Sequence, residues 1–172
     1  MLKITGMLIV MFSSTLFGYV LKHNCHKRVK LLENMKSCLS IMENEIRYCQ
    51  NDMEKTINKV LCFSEGSNSR MFRLFIDGIK TSDGESASEI WNKATEGIAG
   101  TSVYDADDIE VIKSFGNILG YGDIDTQLKN IDLFHIQIVS RLDVAKQKLK
   151  KHGELSGKLG IYIGILAVII FW

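Results

Sequence analysis

The clearest indication of the fold of this 172-residue chain is the segment IDTQLKNIDLFHIQIVSRLDVAKQKL at residues 124–149. Apolar side chains recur every three or four positions along the segment, as they do on the buried face of an α-helix. We therefore predict one long helix that packs through a continuous stripe. The stripe consists of Ile124, Leu128, Ile131, His135, Ile138, Leu142, Ala145 and Leu149.

The first third of the chain carries a second stripe with the same spacing, which predicts a second long helix. The chain has no proline, and no segment shows the two-residue alternation that is typical of strands. The fold class is therefore predicted to be all-α, with the two long helices packed antiparallel. The second stripe consists of Leu32, Met35, Leu39, Met42, Ile46, Cys49 and Met53.

Four shorter helices are predicted between the two long ones, which gives a six-helix bundle. Each begins at a residue that can cap the free N–H groups of a helix start, and each ends at a turn or a glycine. The predicted starts are Asn51 with Glu54, Ser67, Ser86 with Glu89, and Asp105 with Asp108. The predicted ends are Phe63, residues 80–86, Gly97 and residues 120–122, after which Asp123 caps the last long helix.

Both ends of the chain are apolar. Residues 4–21 carry no charge for 18 positions, and at about 1.5 Å per residue such a helix roughly crosses the 30 Å core of a bilayer. The final run reaches a similar length if it extends back to Leu155 and the stem of Lys158 reaches the headgroups. We predict a transmembrane anchor at 1–21, a helical bundle at 22–153 and a C-terminal transmembrane helix at 154–172.

A cleaved signal peptide is the alternative for the first run. That run lacks an Ala-x-Ala-like end, and basic residues follow it at once, so the anchor is the better interpretation. The bundle is then predicted to continue into both spans through its first and last helices. Lipid bilayer is therefore one expected partner of the chain.

A basic cluster lies beside each apolar run, whereas residues 52–143 carry 16 acidic and 9 basic side chains. Basic flanks stay on the cytoplasmic side, so we expect a cell-membrane protein with a cytoplasmic bundle and both termini on the opposite side. We expect the clusters to contact anionic headgroups rather than nucleic acid, because aromatic residues do not alternate with them. These membrane-surface residues are Lys22, Lys27, Arg28, Lys30, Lys146, Lys148, Lys150, Lys151 and Lys158.

Small residues four apart occur in both runs, and this spacing allows membrane helices to pack closely. The pattern leaves open whether the two spans pack within one chain or whether copies form a homo-oligomer. The residues are Ser14 and Gly18 in the first run, and Gly153, Gly157, Gly160 and Gly164 in and before the second.

No group of residues has the spacing of an active site, so neither catalytic residues nor a metal or cofactor site is predicted. In HNCHK (23–27), only His23 and His26 share a helical face, and no third ligand is near. His135 lies on the apolar stripe and is interpreted as a core or interface histidine. The segment 116–123, GNILGYGD, follows a helix rather than a strand, and it is interpreted as a turn rather than a phosphate loop.

Four segments carry a resemblance to a known family. They are LSIMENEIRYCQNDMEKTINKV (39–60), SASEIWNKATEG (86–97), GNILGYGDIDTQLKNIDLF (116–134) and the terminal AKQKLKKHGELSGKLGIYIGILAVIIFW (145–172). In this order and spacing the chain resembles the stage III sporulation protein AB family. The most specific matches are ENEIRY (43–48), Trp91, LGYGD (119–123) with Gln127, and KLG (158–160). The family commonly has a proline after the tyrosine, where this chain has CQNDME (49–54).

The resemblance implies a function that composition does not give. Members of the family belong to the sporulation channel that the mother cell builds in the membrane around the forespore. Their cytoplasmic domain is similar to the helical domain of the inner-membrane platform proteins of type II secretion systems. A non-enzymatic platform subunit is thereby implied, with its bundle in the mother-cell cytoplasm. Its implied partners are a secretion-type ATPase and other membrane proteins of the channel.

The acidic middle of the chain is the expected docking surface for a basic partner, at one tip of the bundle. Each of these side chains has an alternative interpretation as a solvated or helix-capping charge. The candidates are Glu43, Glu45, Tyr48, Asp105, Asp107, Asp108, Glu110, Asp123 and Asp125.

Two other functional classes remain open. A membrane-anchored helical sensor or signalling adaptor would share the long helices and their spacing, but it should carry a ligand domain on the far side of the membrane. A membrane-bound enzyme would require a cofactor site, and no residue pattern provides one.

Overall fold

The computed structural model describes residues 2–49, 53–81, 84–119 and 124–171, and it describes side chains between residues 16 and 151 apart from a few beside these gaps. Over the described residues the chain is all-helical, with six α-helices and no strand, as predicted. A π-helical segment at Glu45–Cys49, here the π segment, directly follows the first helix. The helices are α1 (Leu2–Asn44), α2 (Met53–Phe63), α3 (Gly66–Thr81), α4 (Ala87–Ala99), α5 (Ala106–Gly116) and α6 (Ile124–Phe171).

The chain divides into two compact units. Residues 1–29 with 144–172 form one, here the terminal unit, and residues 30–143 form the other, here the helical body. In the terminal unit the backbone is helical through both predicted spans. Within the part of the chain that the structure describes, no helix is long and apolar enough to cross a membrane. The two spans and the boundaries at residues 21 and 153 remain predictions.

One end of the helical body, here the near end, is where the chain enters it and leaves it. The Tyr104 hydroxyl, between α4 and α5, donates to the Leu31 carbonyl (3.2 Å) and to Asn68 Oδ1 near the start of α3 (2.6 Å). Arg141 Nε donates to Asp108 Oδ1 in the first turn of α5 (2.8 Å). The entering part of α1 and the leaving part of α6 therefore lie at the same end.

The opposite end of the helical body, here the far end, joins the end of α1 to the start of α6. Met42, Ile46, Leu119, Gln127 and Ile131 line one small pocket there. The start of α1 within the helical body shares the near end with the end of α6, and the end of α1 shares the far end with the start of α6. The two helices therefore run antiparallel across the helical body. The four shorter helices alternate in direction between them.

The core of the helical body centres on Trp91 of α4. The rings of Phe75 and Phe115 meet it edge to face, with ring centroids 5.2 and 5.4 Å away. Phe115 stacks on Phe134 of α6 at 4.3 Å. The Trp91 indole Nε1 donates to the Ile112 carbonyl (2.6 Å), so this buried polar atom is satisfied. Aromatic contacts thus connect α3, α4, α5 and α6.

Most of the predicted stripe positions are buried, but not all. Ile124, the first residue of α6, is exposed, so its predicted burial is wrong. His135 and Leu149 are half-buried, and the side chains of Cys49 and Met53 lie outside the described residues. Burial is confirmed for Leu32, Met35, Leu39, Met42, Ile46, Leu128, Ile131, Ile138, Leu142 and Ala145.

The predicted helix starts are closer to the structure than the predicted ends. Ser86 and Glu89 form the expected capping box of α4, whereas α3 begins at Gly66 rather than Ser67. Gly97 does not end α4, which continues to Ala99. An added Cβ at Gly97 would lie 2.8 Å from the Leu74 side chain, so this glycine allows α3 and α4 to approach closely rather than stopping a helix.

The end of α5 was also predicted too late. This helix ends at Gly116 rather than at residues 120–122, which lie outside the described residues together with Asp123 and Asn51. A Cβ on Gly116 would lie 2.6 Å from Trp91 Cδ1. The last turn of α5 therefore packs against the tryptophan, and a turn at 117–119 follows.

The basic clusters are only partly exposed. Arg28 is buried, in contrast to the prediction of a membrane-surface side chain. Its long apolar stem makes burial tolerable when the guanidinium has partners, and Arg28 does interact within the chain. The side chains of Lys158, Ser14 and the four glycines 153, 157, 160 and 164 lie outside the described residues. Exposed members are Lys22, Lys27, Lys30, Lys146, Lys148, Lys150 and Lys151.

Candidate functional site

The acidic residues predicted to form one docking tip lie at the two ends of the helical body. Asp107 and Asp108 bind Arg141 at the near end. Asp125 lies in the first turn of α6 at the far end. Because a helix rises about 1.5 Å per residue, Arg141 lies about 24 Å along α6 from Asp125. The two groups therefore cannot form one surface.

The near-end group is largely structural. Asp108 is fully buried, accepts from Arg141 and also accepts from the Asp105 backbone N–H (3.0 Å), which fixes the start of α5. Asp107 is exposed and pairs with the same guanidinium (3.0 Å). Burial lowers the pKa of Arg141, but the hydrogen bonds and charges of Asp108 and Asp107 outweigh this and raise it overall. The arginine therefore stays charged and holds α5 against α6. Glu110 is exposed on α5, one turn further along.

A polar network fixes the near end from the other side. Asn68 is fully buried, and its Nδ2 donates to the Leu31 carbonyl (2.9 Å) and to Asn34 Oδ1 (3.0 Å). Asn34 Nδ2 in turn donates to the Phe63 carbonyl at the end of α2 (2.9 Å). Tyr104 donates to Asn68, and burial raises the pKa of its hydroxyl, which therefore stays protonated. The network joins α1, α2, α3 and the α4–α5 connection.

The far-end group surrounds the π segment. Glu45 is buried and accepts from Lys59 Nζ of α2 (2.6 Å), so this carboxylate joins two elements. Glu43 pairs with Arg47 across one turn (2.7 Å) and raises the pKa of Arg47, chiefly through that hydrogen bond. Tyr48 projects into solvent with 76% of its surface exposed. π-Helical turns occur frequently at functional sites, and this one displays an aromatic ring beside a charged pair.

No feature of the described residues resembles an active site. The far-end pocket is small and mostly apolar. Asn130, a polar residue that lines it, donates a hydrogen bond from Nδ2 to the Ile118 carbonyl (3.4 Å). Within the described ranges, no three His, Cys, Asp or Glu side chains come together in a way that could hold a metal ion. In HNCHK, the His23 ring stacks on Tyr19, with ring centroids 6.2 Å apart. The Nε2 atom of His135 is buried and has no hydrogen-bond partner among the described residues.

Sequence reasoning missed the π segment, the Asn34–Asn68–Tyr104 network and the burial of Asp108. The network was not foreseeable, because its members are far apart in the chain and none lies on an apolar stripe. Asp108 had one signal: it occupies the third position after a capping aspartate, where a carboxylate reaches back to the cap. That signal placed the helix start but gave no indication of the arginine partner or of the burial of the carboxylate.

Comparison with known proteins assigns the chain to a family. The family model described as stage III sporulation protein AB matches residues 3–172. This chain belongs to the stage III sporulation protein AB family. The curated protein of that name from Bacillus subtilis (strain 168) is 25% identical over 171 residues, which cover 99% of each chain.

A solved structure agrees with this assignment. The structure titled stage III sporulation protein AB aligns with a TM-score of 0.64 and 25% identity, over 72% of this chain and 97% of its own. The resemblance seen in ENEIRY, Trp91, LGYGD and KLG is thereby confirmed. A role in sporulation is supported, and the matched proteins are named for sporulation rather than for a catalysed reaction.

Within this stage III sporulation protein AB chain, the far end is the better candidate for a contact with another protein. At the near end, Asp107 and Asp108 pair with Arg141, and Asp105 belongs to the capping box of α5, which leaves the exposed Glu110 outside these contacts. At the far end, Tyr48 and Asp125 are exposed, and Glu43 is partly so. Asp132 lies close enough for its charge to raise the pKa of Arg47, after the larger effect of Glu43.

Proposed function

We propose that this chain is a non-enzymatic membrane platform subunit of the channel between mother cell and forespore. Its far end would dock a secretion-type ATPase. The observation that carries the proposal is membership of the stage III sporulation protein AB family along nearly the whole chain. Support also comes from the helical body, whose two longest helices lead to the apolar runs 4–21 and 155–172. In this proposal those runs anchor the protein, and the helical body stands in the mother-cell cytoplasm.

The proposed docking surface, here the far-end surface, consists of Glu43, Tyr48 and Asp125. It combines negative charge with one exposed aromatic ring, and tyrosine is among the residues enriched at binding hot spots. A basic partner would meet complementary charge there, which favours both encounter and register. Glu45 belongs to the support of this surface, because it is buried against Lys59.

The test is capture of the ATPase by the full-length tagged chain, extracted in mild detergent from sporulating cells. We expect the double variant Glu43→Lys with Tyr48→Ala to lower the captured ATPase at least about tenfold, because it removes an aromatic anchor and reverses a charge. Counts of heat-resistant spores should fall with it.

A matched control separates this effect from a general change in charge. Glu96→Lys makes the same charge reversal on α4, and it removes only an exposed ion pair with Lys113, which contributes under about 1 kcal/mol. This control should capture the ATPase as the natural chain does. Unchanged capture by the double variant, with normal spore counts, would rule out the far-end surface.

A further inference from the structure

The α6 helix presents an exposed face that no element of the described helical body covers. Leu133 and Ile136 are 59% and 65% exposed there. Asp132 and Asp143 are also exposed and lie on the same face, within an arc of about 100° at 3.6 residues per turn. Lys129 is exposed in the same arc, so the face is acidic overall with one basic residue. Leu133 and Ile136 form a small apolar patch on it, and contiguous exposed apolar patches mark contact surfaces.

The α3 helix presents a second exposed face of the opposite charge. Arg70, Arg73 and Lys80 are exposed on it, against one acidic residue, Asp77. Leu74 is also exposed and rests on Gly97 of α4. Lys80 makes only an exposed pair with Glu54 (3.4 Å), and such a pair is readily exchanged for another. At 3.6 residues per turn, Leu74 lies at one edge of this face, beside Arg70, so the face is mainly basic with one apolar residue along its side.

The two faces match in spacing as well as in charge. At about 1.5 Å per residue, Arg70 and Lys80 lie about 15 Å apart on α3, and Asp143 and Asp132 lie about 16 Å apart on α6. Each apolar residue falls between the charges of its own face.

The two faces also lie at the same level of the helical body. Asn68, near the start of α3, accepts from Tyr104. Arg141, near the point where α6 leaves the helical body, donates to Asp108, four residues after Tyr104. Arg70 therefore stands about level with Asp143. Because α3 and α6 run in opposite directions, Lys80 then stands about level with Asp132.

We propose that neighbouring copies of this chain associate side by side, with the α3 face of one copy against the α6 face of the next. Arg70 then meets Asp143, Lys80 meets Asp132, and Leu74 packs on Ile136 and Leu133. This contact requires all copies to have the same orientation. That requirement rests on the membrane anchoring in the proposed function. The contact is heterologous, so a pair of copies keeps one free α3 face and one free α6 face, and association continues beyond a dimer.

The test uses the full-length chain with its four native cysteines replaced, purified and reconstituted into phosphatidylglycerol and phosphatidylethanolamine vesicles. Leu74→Cys and Ile136→Cys are introduced together, and oxidation is followed by non-reducing electrophoresis. We expect a ladder of dimers, trimers and larger species from the double variant, and no ladder from either single variant. Circular dichroism of each variant confirms that the helices are retained.

Charge exchange within the double-cysteine chain identifies the register. Asp143→Arg should lower the cross-linked fraction at least about fivefold, since it replaces an attraction with a repulsion. Adding Arg70→Asp should restore the fraction, whereas the control Glu96→Lys should leave it unchanged. Restoration requires that the two positions face each other across two copies.

Three results would overturn the proposal. Dimers alone would mean a two-fold contact, and no cross-link in vesicles would mean that copies do not associate through these faces. Cross-linking only to a different protein in sporulating cells would assign the α6 face to another partner. Because the vesicles contain no ATPase, the first two results are independent of ATPase capture, so this proposal and the proposed function can fail separately.

Discussion

At the scale of single residues, Asp107 and Asp108 show how burial separates two identical neighbours. Both bind Arg141, but the side chain of Asp108 is fully buried, whereas that of Asp107 is 71% exposed. A buried ion pair is costly to break, because removing one partner leaves the other charge uncompensated in a medium of low polarity. An exposed pair is screened by water and contributes little.

We therefore expect Asp108→Asn to lower the free energy of unfolding by about 3–5 kcal/mol. Asp107→Asn is the matched control and should change it by less than about 1 kcal/mol. Urea denaturation of the full chain in detergent, followed by circular dichroism, measures both. Equal effects of the two substitutions would mean that the Asp108–Arg141 pair does not hold α5 against α6.

Cys38 and Cys62 form a second pair of like residues in unlike surroundings. Burial, with a smaller contribution from the charge of Glu65, raises the pKa of Cys38 to about 12. Because only the thiolate is alkylated, we expect iodoacetamide at pH 8 to modify Cys38 at least about a hundredfold more slowly than the exposed Cys62. Mass spectrometry measures both rates, and denaturant should remove the difference. Similar rates in the folded protein would contradict the burial of Cys38.

The same shift has a consequence for stability. The folded thiol of Cys38 holds its proton to a higher pH than the unfolded thiol does. Its contribution to the free energy of unfolding is therefore fully present at neutral pH and is lost as the pH rises from about 9 to about 12. Cys38→Ala should reduce this alkaline loss of stability.

At the scale of elements, glycines determine how closely α3, α4 and α5 pack. A Cβ on Gly78 would collide with Ile90, and one on Gly116 would lie 2.6 Å from Trp91. Nothing lies within 4 Å of a Cβ on Gly100, whose φ is −80°. The same residue type therefore has a packing role at two positions and a capping role at the third.

We expect Gly116→Ala to lower the free energy of unfolding by about 1–3 kcal/mol, because the tryptophan must move to admit the methyl group. Gly100→Ala should change it by less than about 1 kcal/mol, since alanine adopts this backbone conformation without strain. Thermal unfolding of the two variants compares them directly. A larger loss from Gly100→Ala would contradict the packing of α5 on Trp91.

The sequence predicted which elements form more reliably than where they end. The stripes at Leu32–Ile46 and Leu128–Ala145 predicted the long helices because burial repeats with the helical period. Capping residues located the start of α4, because a cap acts within a few residues of itself. The end of α4 was misplaced because Gly97 serves a contact with Leu74 of α3, which no local pattern reveals.

At the scale of the whole molecule, the acidic composition of the middle segment indicated charge but not its arrangement. Residues 105–110 and Asp125 are close in sequence, yet the start of α5 lies at the near end and the start of α6 lies at the far end. The division of the docking candidates follows from this alternation of helix direction. Composition alone could not predict it, whereas the family was predictable from motifs such as ENEIRY.

We propose that this member of the stage III sporulation protein AB family acts as a platform in the sporulation channel. A time course of the natural full-length chain, tagged and captured from membranes in mild detergent with bound proteins identified by mass spectrometry, tests it most directly. We expect a secretion-type ATPase and other channel proteins to be captured with the chain, and only after sporulation begins. Capture of none of them, or equal amounts of the chain in growing cells, would contradict it.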